Sequence, residues 1–194
     1  MQVAQLPLLE KAFAPVEITS QIQETLCESW KDKSFKKGEF ITEAGRIEKY
    51  FYFVLEGVQA LYLIDSKGDK VILGFSFAGN FSGVFDSFLK AEPSDFFLEA
   101  LLPSKMLTIS LDRYHQLFER YPEFNVWGKN FMENILIGRI KREVEILTMT
   151  AEERYTQFMR RCPDSLKEIP QKYLASYLNM KPETFSRLRA SVDY

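Results

Sequence analysis

The sequence predicts an α+β chain: an N-terminal double-stranded β-roll of jelly-roll type, then a long helix, then a C-terminal all-α helix-turn-helix. Three observations carry this. Short stretches rich in β-branched and aromatic residues, broken by turn signals, crowd residues 33–110, and seven of the nine glycines fall there (Gly38, Gly45, Gly57, Gly68, Gly74, Gly79, Gly83). That texture fits a tightly turned roll and not a βαβ layer. A proline-free run over 123–149 keeps helical spacing for about 27 residues, about 40 Å of helix. Residues 170–189, PQKYLASYLNMKPETFSRLR, read as two short helices with a tight joint.

Composition sets the bounds. A chain of 194 residues holds one medium domain, or a domain of about 150 residues with a small appendage. Hydrophobic residues at 46% and charged residues at 27% are ordinary for a globular protein, and 17 Phe with nine Tyr allow a well-filled core. The net charge is −2, but residues 165–194 carry five Lys or Arg against three acids, leaving −4 for the rest. This balance excludes a protein coated for nonspecific nucleic-acid binding and leaves room for a small basic reading head on an acidic body. Cys27 and Cys162 have no CxxC spacing and cannot hold an iron–sulfur cluster, so reduced thiols and a cytoplasmic location are expected. The N-terminus has no basic leader followed by a long apolar run, and no stretch approaches the roughly 18 apolar residues of a membrane helix, so no membrane partner is expected.

Taken in order, Ile18, Ile22, Leu26 and Trp30 recur every four residues, with Thr19 or Ser20 placed to cap a helix. Strands follow in KSFKKGEFI, YFYFVLEG, VQALYLI, KVILGFSF and SDFFLEALL, with DSKGD as a hairpin turn in which Gly68 takes φ > 0. LDRYHQLFERYP is a short helix ended by Pro122. The long helix (about 123–149) carries two apolar stripes. Phe124, Trp127, Phe131 and Ile135 form one, and Met132, Leu136, Ile140, Val144 and Leu147 the other. Two stripes assign one face to the roll and the other to a second copy of the chain; the competing reading is a single buried helix. Gly128 and Gly138 would permit close helix approach. Thr150 with Glu153 forms a capping-box pattern for the next helix. Two domains result, 1–149 including the long helix and 150–194, with no internal repeat.

The terminal pair has demanding sterics. Crossing helices need a small residue, which Ala175 supplies, and the joint needs left-handed backbone, which Asn179 tolerates. Leu174, Leu178, Met180, Phe185 and Leu188 are apolar at the inward positions, and Pro182 suits a first helical turn, though Lys181 is a poor N-cap. The outward face of the second helix is Glu183, Thr184, Ser186, Arg187 and Arg189. Arg can bond guanine bidentately and Glu can accept from cytosine, so this face suits the major groove of DNA. The competing reading is a solvated surface of a helical hairpin.

This order of parts resembles the CRP/FNR-like transcription regulators, whose N-terminal domain is a β-roll of cyclic-nucleotide-binding type. The resemblance spans nearly the whole chain. It rests on KKGEFITEAG, YFYFVLEGVQALYLIDSKGDKVILGFSFAGNFSG, SDFFLEAL and IPQKYLASYLNMKPETFSRLR, where the ETxxR pattern is Glu183, Thr184 and Arg187. It implies a homodimer through the long helix on a two-fold DNA operator, with RNA polymerase as a possible further partner.

Three departures qualify it. In cyclic-AMP-binding members a Gly-Glu pair holds the ribose and an Arg-Ser or Arg-Thr pair pins the phosphate. Here Gly83 is followed by Val84, the other pair is Ser94-Asp95, and no arginine lies between Arg46 and Arg113. A phosphate without a cation beside Asp95 would be repelled, so neither cyclic AMP nor cyclic GMP is expected as a cofactor. Second, Pro182 stands where many relatives carry Arg or Ser, so one base contact is lost. Third, the sequence stops at Tyr194, so the head is winged-helix-like without the wing, few phosphate contacts remain, and dimerisation must supply much of the affinity.

Other functions were weighed. A cupin-like enzyme or a Ser-His-Asp hydrolase needs histidine, and His115, outside the roll, is the only one; there is no P-loop and no GxGxxG. No enzyme activity is expected. An interaction or ligand-binding module with a vestigial DNA head remains the alternative. For an effector pocket of unknown ligand, the candidates are Phe75, Phe77, Phe81, Gly83, Val84, Ser94, Asp95 and Phe97, with the long helix as lid. Their apolar character points to an apolar or aromatic effector, or to none. For DNA contact, Glu183 and Arg187 are the base-reading candidates, with Thr184, Ser186, Lys181 and Arg189 nearer the phosphates.

Overall fold

The structure, a computed structural model, describes residues 5–191. Two short helices, α1 (Leu6–Ala12) and α2 (Ser20–Ser29), precede eight strands. The strands are β1 (Lys31–Phe35), β2 (Phe40–Thr42), β3 (Tyr50–Glu56), β4 (Val58–Ile64), β5 (Lys70–Phe77), β6 (Phe81–Ser82), β7 (Phe97–Ala100) and β8 (Ser104–Ser110), with helix α3 (Phe85–Lys90) after β6. They form two antiparallel four-stranded sheets, in the orders β1-β8-β3-β6 and β2-β7-β4-β5. This is the expected roll.

Local chemistry places the corners. Gly57 lies between β3 and β4, where the chain passes from one sheet to the other, at φ +93. A Cβ there would come within 2.3 Å of Ser104 Oγ and 2.5 Å of the Pro103 carbonyl, so only glycine fits. The β4–β5 hairpin turns at Asp65, whose Oδ1 accepts the Lys67 and Asp69 N–H groups at 2.8 and 2.9 Å. These bonds hold the Asp65 carboxyl below its ordinary pKa.

Three apolar clusters hold the molecule. Phe35, Tyr52, Val54, Ala100 and Met106 fill the roll. A second cluster joins the first sheet to the helices around it, through Leu9 and Phe13, Ile22 and Leu26 of α2, Phe51 and Phe53 of β3, and Phe124 and Trp127. The helix α1 has no counterpart in the sequence reading. Its seven residues with Pro7 in the first turn are too short to announce themselves. It is held by packing of Leu9 and by the Trp127 Nε1–H bond to the Ala12 carbonyl, 2.9 Å.

Helix α4 (Leu111–Arg120), capped by Ser110, leads into α5 (Glu123–Thr148). The stripe Phe124, Trp127, Phe131, Ile135 faces the roll: the first two are buried and the others half-buried. The other stripe lies open, with Leu136 61% and Leu147 75% exposed. The α4–α5 approach needs Gly128, since a Cβ there would meet Phe118 at 2.9 Å, whereas Gly138 faces open space.

The C-terminal part comprises α6 (Ala151–Arg161), α7 (Asp164–Lys167), α8 (Gln171–Tyr177) and α9 (Pro182–Ser191). Thr150 and Glu153 make the expected capping box on α6. The third cluster runs from Val58, Ala60, Tyr62 and Ile72 of the roll into Tyr155, Phe158, Leu174, Leu178, Phe185 and Leu188 of this head. Head and roll thus share one apolar seam. The expectation of no wing concerns the chain after α9, and residues 192–194 lie outside the described residues.

Candidate nucleic-acid interface and sensor cavity

Helices α8 and α9 close on each other through side chains of the expected types. Ala175 is fully buried where they cross, and Leu174, Leu178, Phe185 and Leu188 are buried around it. Asn179 takes φ 51, and the Met180 N–H reaches back to the Ala175 carbonyl at 3.0 Å, a Schellman closure with Asn in the usual glycine position. The Tyr155 ring meets Phe185 edge-on at 5.2 Å and fixes the pitch of α9. Pro182 is the first residue of α9.

This frame turns Glu183, Ser186, Arg187 and Arg189 out to solvent, with Lys181 exposed just before the helix and Thr184 half-buried. Among the described residues, none of the four charged groups on this segment's face (Lys181, Glu183, Arg187, Arg189) is held in an ion pair. Within the described residues, three cations and one carboxylate thus share one face outside any ion pair, with the positive end of the helix dipole at Glu183 and Thr184.

The head is fastened to the edge of β5, an outer strand whose backbone groups would otherwise be open. Ser176 Oγ accepts the Ile72 N–H at 3.0 Å and donates to the Lys70 carbonyl at 2.9 Å. From α5, Arg142 Nη2 donates to the Tyr177 carbonyl at 2.8 Å and the Ile72 carbonyl at 3.3 Å, and Arg139 Nη1 donates to the Leu73 carbonyl at 3.1 Å. Arg154 bonds the Leu178 carbonyl at 2.9 Å, and Arg161 pairs bidentately with Glu145 at 2.7 and 2.9 Å. Lys70 adds an ion pair to Glu99 and lies 4.4 Å over the Tyr62 ring and 5.6 Å from Tyr173 of α8. Burial works against the Lys70 charge, but its bonds to Glu99 and Tyr62 keep its pKa above the ordinary value. Burial and the bond to Glu99 push the Tyr62 hydroxyl up to about 12.

Between the roll and α5 lies a cavity of about 600 Å³. β5 lines it from Leu73 to Ser76, Asn80–Gly83 close one side, and α5 contributes Trp127, Phe131, Asn134, Ile135, Arg139 and Arg142; Tyr177 of the head completes the rim. Of the candidate pocket residues, Phe75, Phe81 and Gly83 line it and the other five do not. Phe77 is half-buried at the end of β5, its N–H on Asn80 Oδ1. Val84 is buried at the start of α3, Asp95 is exposed, and Phe97 stacks on Tyr62 at 5.3 Å. Ser94 is buried with its backbone tied to Gly45 and Arg46 at 2.7 and 2.9 Å, which commits that loop to the β2–β3 connection instead of the cavity.

Sequence reasoning passed over Arg139 and Arg142. The signal was available, since continuing the roll-facing stripe from Ile135 by four and then three residues reaches both. It also missed Glu48, which is buried beside α3. Its carboxylate takes hydrogen bonds from Thr42 Oγ1 and from the Tyr50 N–H and Tyr52 hydroxyl, the latter two at 3.1 Å. Burial raises the Glu48 pKa, and the bonds oppose this. No pattern in the sequence separates this glutamate from its exposed neighbours.

The family model of the cyclic nucleotide-binding domain matches residues 32–121, the roll and α4. No curated protein sequence matches the chain significantly. Solved structures do. The chain superposes on FixK2 from Bradyrhizobium japonicum with a TM-score of 0.73 at 17% identity, covering 84% of this chain and 83% of that one. For DNR from Pseudomonas aeruginosa the TM-score is 0.58 at 21% identity, covering 98% and 88%. For the catabolite activator protein of Thermus thermophilus it is 0.59 at 17% identity, covering 93% and 85%. The chain therefore has the fold of CRP/FNR-type regulators across roll, long helix and C-terminal head.

Proposed function

We propose that the chain is a sequence-specific DNA-binding transcription regulator that acts as a homodimer. The observation that carries this is the outward face of α9, where Glu183, Ser186 and Arg187 are exposed beside half-buried Thr184 on a helix whose seat is fixed by Ala175 and Asn179. Glu183 and Arg187 read base edges, and Thr184, Ser186, Lys181 and Arg189 position the helix on phosphates. The shared fold with DNR, called a transcriptional regulator, and with a catabolite activator protein supports the reading. The open stripe Met132, Leu136, Ile140, Val144 and Leu147 on α5 is the dimer seam, so the operator is two-fold with half-sites about 34 Å apart.

The roll is a sensor domain without a cyclic-nucleotide site. Ser94 and Asp95 stand where the resemblance expects Arg-Ser, and the buried Glu48 carboxylate lies close to the Val84 backbone at the start of α3. A second anion there would face the Glu48 carboxylate.

Selection from random DNA with the full chain, followed by gel shifts, tests the reading. Arg187→Ala should lose sequence-selective binding and keep the salt-dependent background. The docking of the head along β5 favours a second reading, an effector-binding or interaction module whose head no longer engages DNA. Wild-type protein with no salt-dependent DNA binding would establish that reading instead.

A further inference from the structure

The cavity between roll and α5 is electrostatically lopsided. Arg139 and Arg142 both line it, and no Asp or Glu does. Among the described residues neither guanidinium has a carboxylate within ion-pair distance. The nearby Glu145 is held bidentately by Arg161. Among the described residues the two arginines hydrogen-bond only to backbone carbonyls. Arg139 is exposed, whereas Arg142 is half-buried, its guanidinium 4.6 Å over the Tyr177 ring, with no counter-ion of full charge. Among the described residues, Arg142 Nε is buried with no hydrogen-bond partner. Burial presses the Arg142 pKa below its ordinary value, with Tyr177 opposing, the Arg139 charge adding to the fall and Glu145 again opposing. The opposite end of the cavity is aromatic: Trp127 lies 5.0 Å from both Phe81 and Phe131, and Phe85 lies 5.6 Å from Phe131.

We infer that this cavity binds a small organic carboxylate with an aryl or acyl body, its head paired with Arg142 and Arg139 and its body among Trp127, Phe131 and Phe81. A carboxylate supplies the missing negative charge and accepts from two guanidinium forks. A volume near 600 Å³ suits a small ligand of this kind. A neutral apolar ligand would bury the half-buried Arg142 further and cover Arg139, with no negative charge to balance either. The inference rests on reading the roll as a sensor and adds the class of effector. It also supplies a route to the head, because Arg142 donates to the Tyr177 carbonyl of α8. A bound carboxylate competes for that donor and loosens the seat of the head.

Calorimetry on the full chain with phenylacetate and octanoate, each against its neutral amide, tests this. At least one acid should bind with Kd tenfold or more tighter than its amide. Arg139→Gln and Arg142→Gln should each weaken the acid tenfold or more and leave the amide unchanged. Reading both variants keeps the test sound if Arg142→Gln alone disturbs the fold. No acid binding up to millimolar concentration, amide binding equal to acid, or acid affinity indifferent to both variants overturns the inference. Ligand-free DNA binding, measured in parallel, separates the two claims. Arg187-dependent DNA binding without acid binding overturns the effector alone, and acid binding without DNA binding overturns the regulator reading alone.

Discussion

Ser176→Ala should release the head from the roll. Its hydroxyl bonds the β5 backbone in both directions, accepting from the Ile72 N–H and donating to the Lys70 carbonyl. Ile72 is fully buried, so its amide has no water to turn to when the hydroxyl is removed. Two neutral hydrogen bonds at about 1 kcal/mol each, with one buried donor left unsatisfied, sum to about 2–3 kcal/mol. The better helix propensity of Ala returns at most about 0.5 kcal/mol. The net loss is about 1.5–2.5 kcal/mol, so if the seam opens locally, protection of the Ile72 amide from hydrogen exchange should fall roughly 10- to 60-fold, taking about 1.4 kcal/mol per decade. The Leu107 amide in β8, remote from the head, serves as the control for global unfolding. Ile72 protection within about twofold of wild type refutes the joint, and an equal fall at Leu107 shows global destabilisation instead of release.

Further outcomes follow from the same geometry. Leu136→Glu places a charge in the open stripe of α5 and should convert dimer to monomer by light scattering; an unchanged mass contradicts the assigned seam. Cyclic AMP and cyclic GMP should give no calorimetric heat at micromolar concentration, and micromolar binding would contradict the account of the Glu48 pocket. Because burial raises the Glu48 pKa, the folded chain holds that proton more tightly than the unfolded chain. Wild type should therefore gain stability relative to Glu48→Gln as pH falls from neutrality toward the ordinary value of 4.5, with no further gain below it. A difference that stays flat or shrinks over that range, in denaturant titrations of the two proteins, contradicts the burial of the charge.

What the sequence made legible was local. The capping box at Thr150, the left-handed Asn179, the small Ala175 and the hairpin at Asp65 each follow from sterics within a few residues, and the structure has them all. The two stripes of α5 were visible because a long helix writes its faces at fixed spacing. Contacts between distant segments were not visible. Which strand lies at a sheet edge depends on the pairing of β4 with β5 and β7, so nothing marked Ser176, Arg139 and Arg142 as partners of β5. The pocket candidates were drawn partly from the cassette stretch, whose Ser94 is spent on Gly45 and Arg46, while the arginines facing the cavity come from a helix about 50 residues later. Glu48 shows the same limit, as a charged residue in a turn whose burial only the packing of α3 and β3 reveals.

The central claim is that the outward face of α9 reads DNA. The most direct measurement is the operator obtained by selection from random DNA with the full chain, then bound by wild type and by Arg187→Ala at matched salt. The account predicts a two-fold site with half-sites about one DNA turn apart, and a loss of about 1–3 kcal/mol for the variant, confined to the base pairs that Arg187 contacts. A failure to enrich any sequence, or a variant that prefers operator over random DNA as strongly as wild type does, would contradict it.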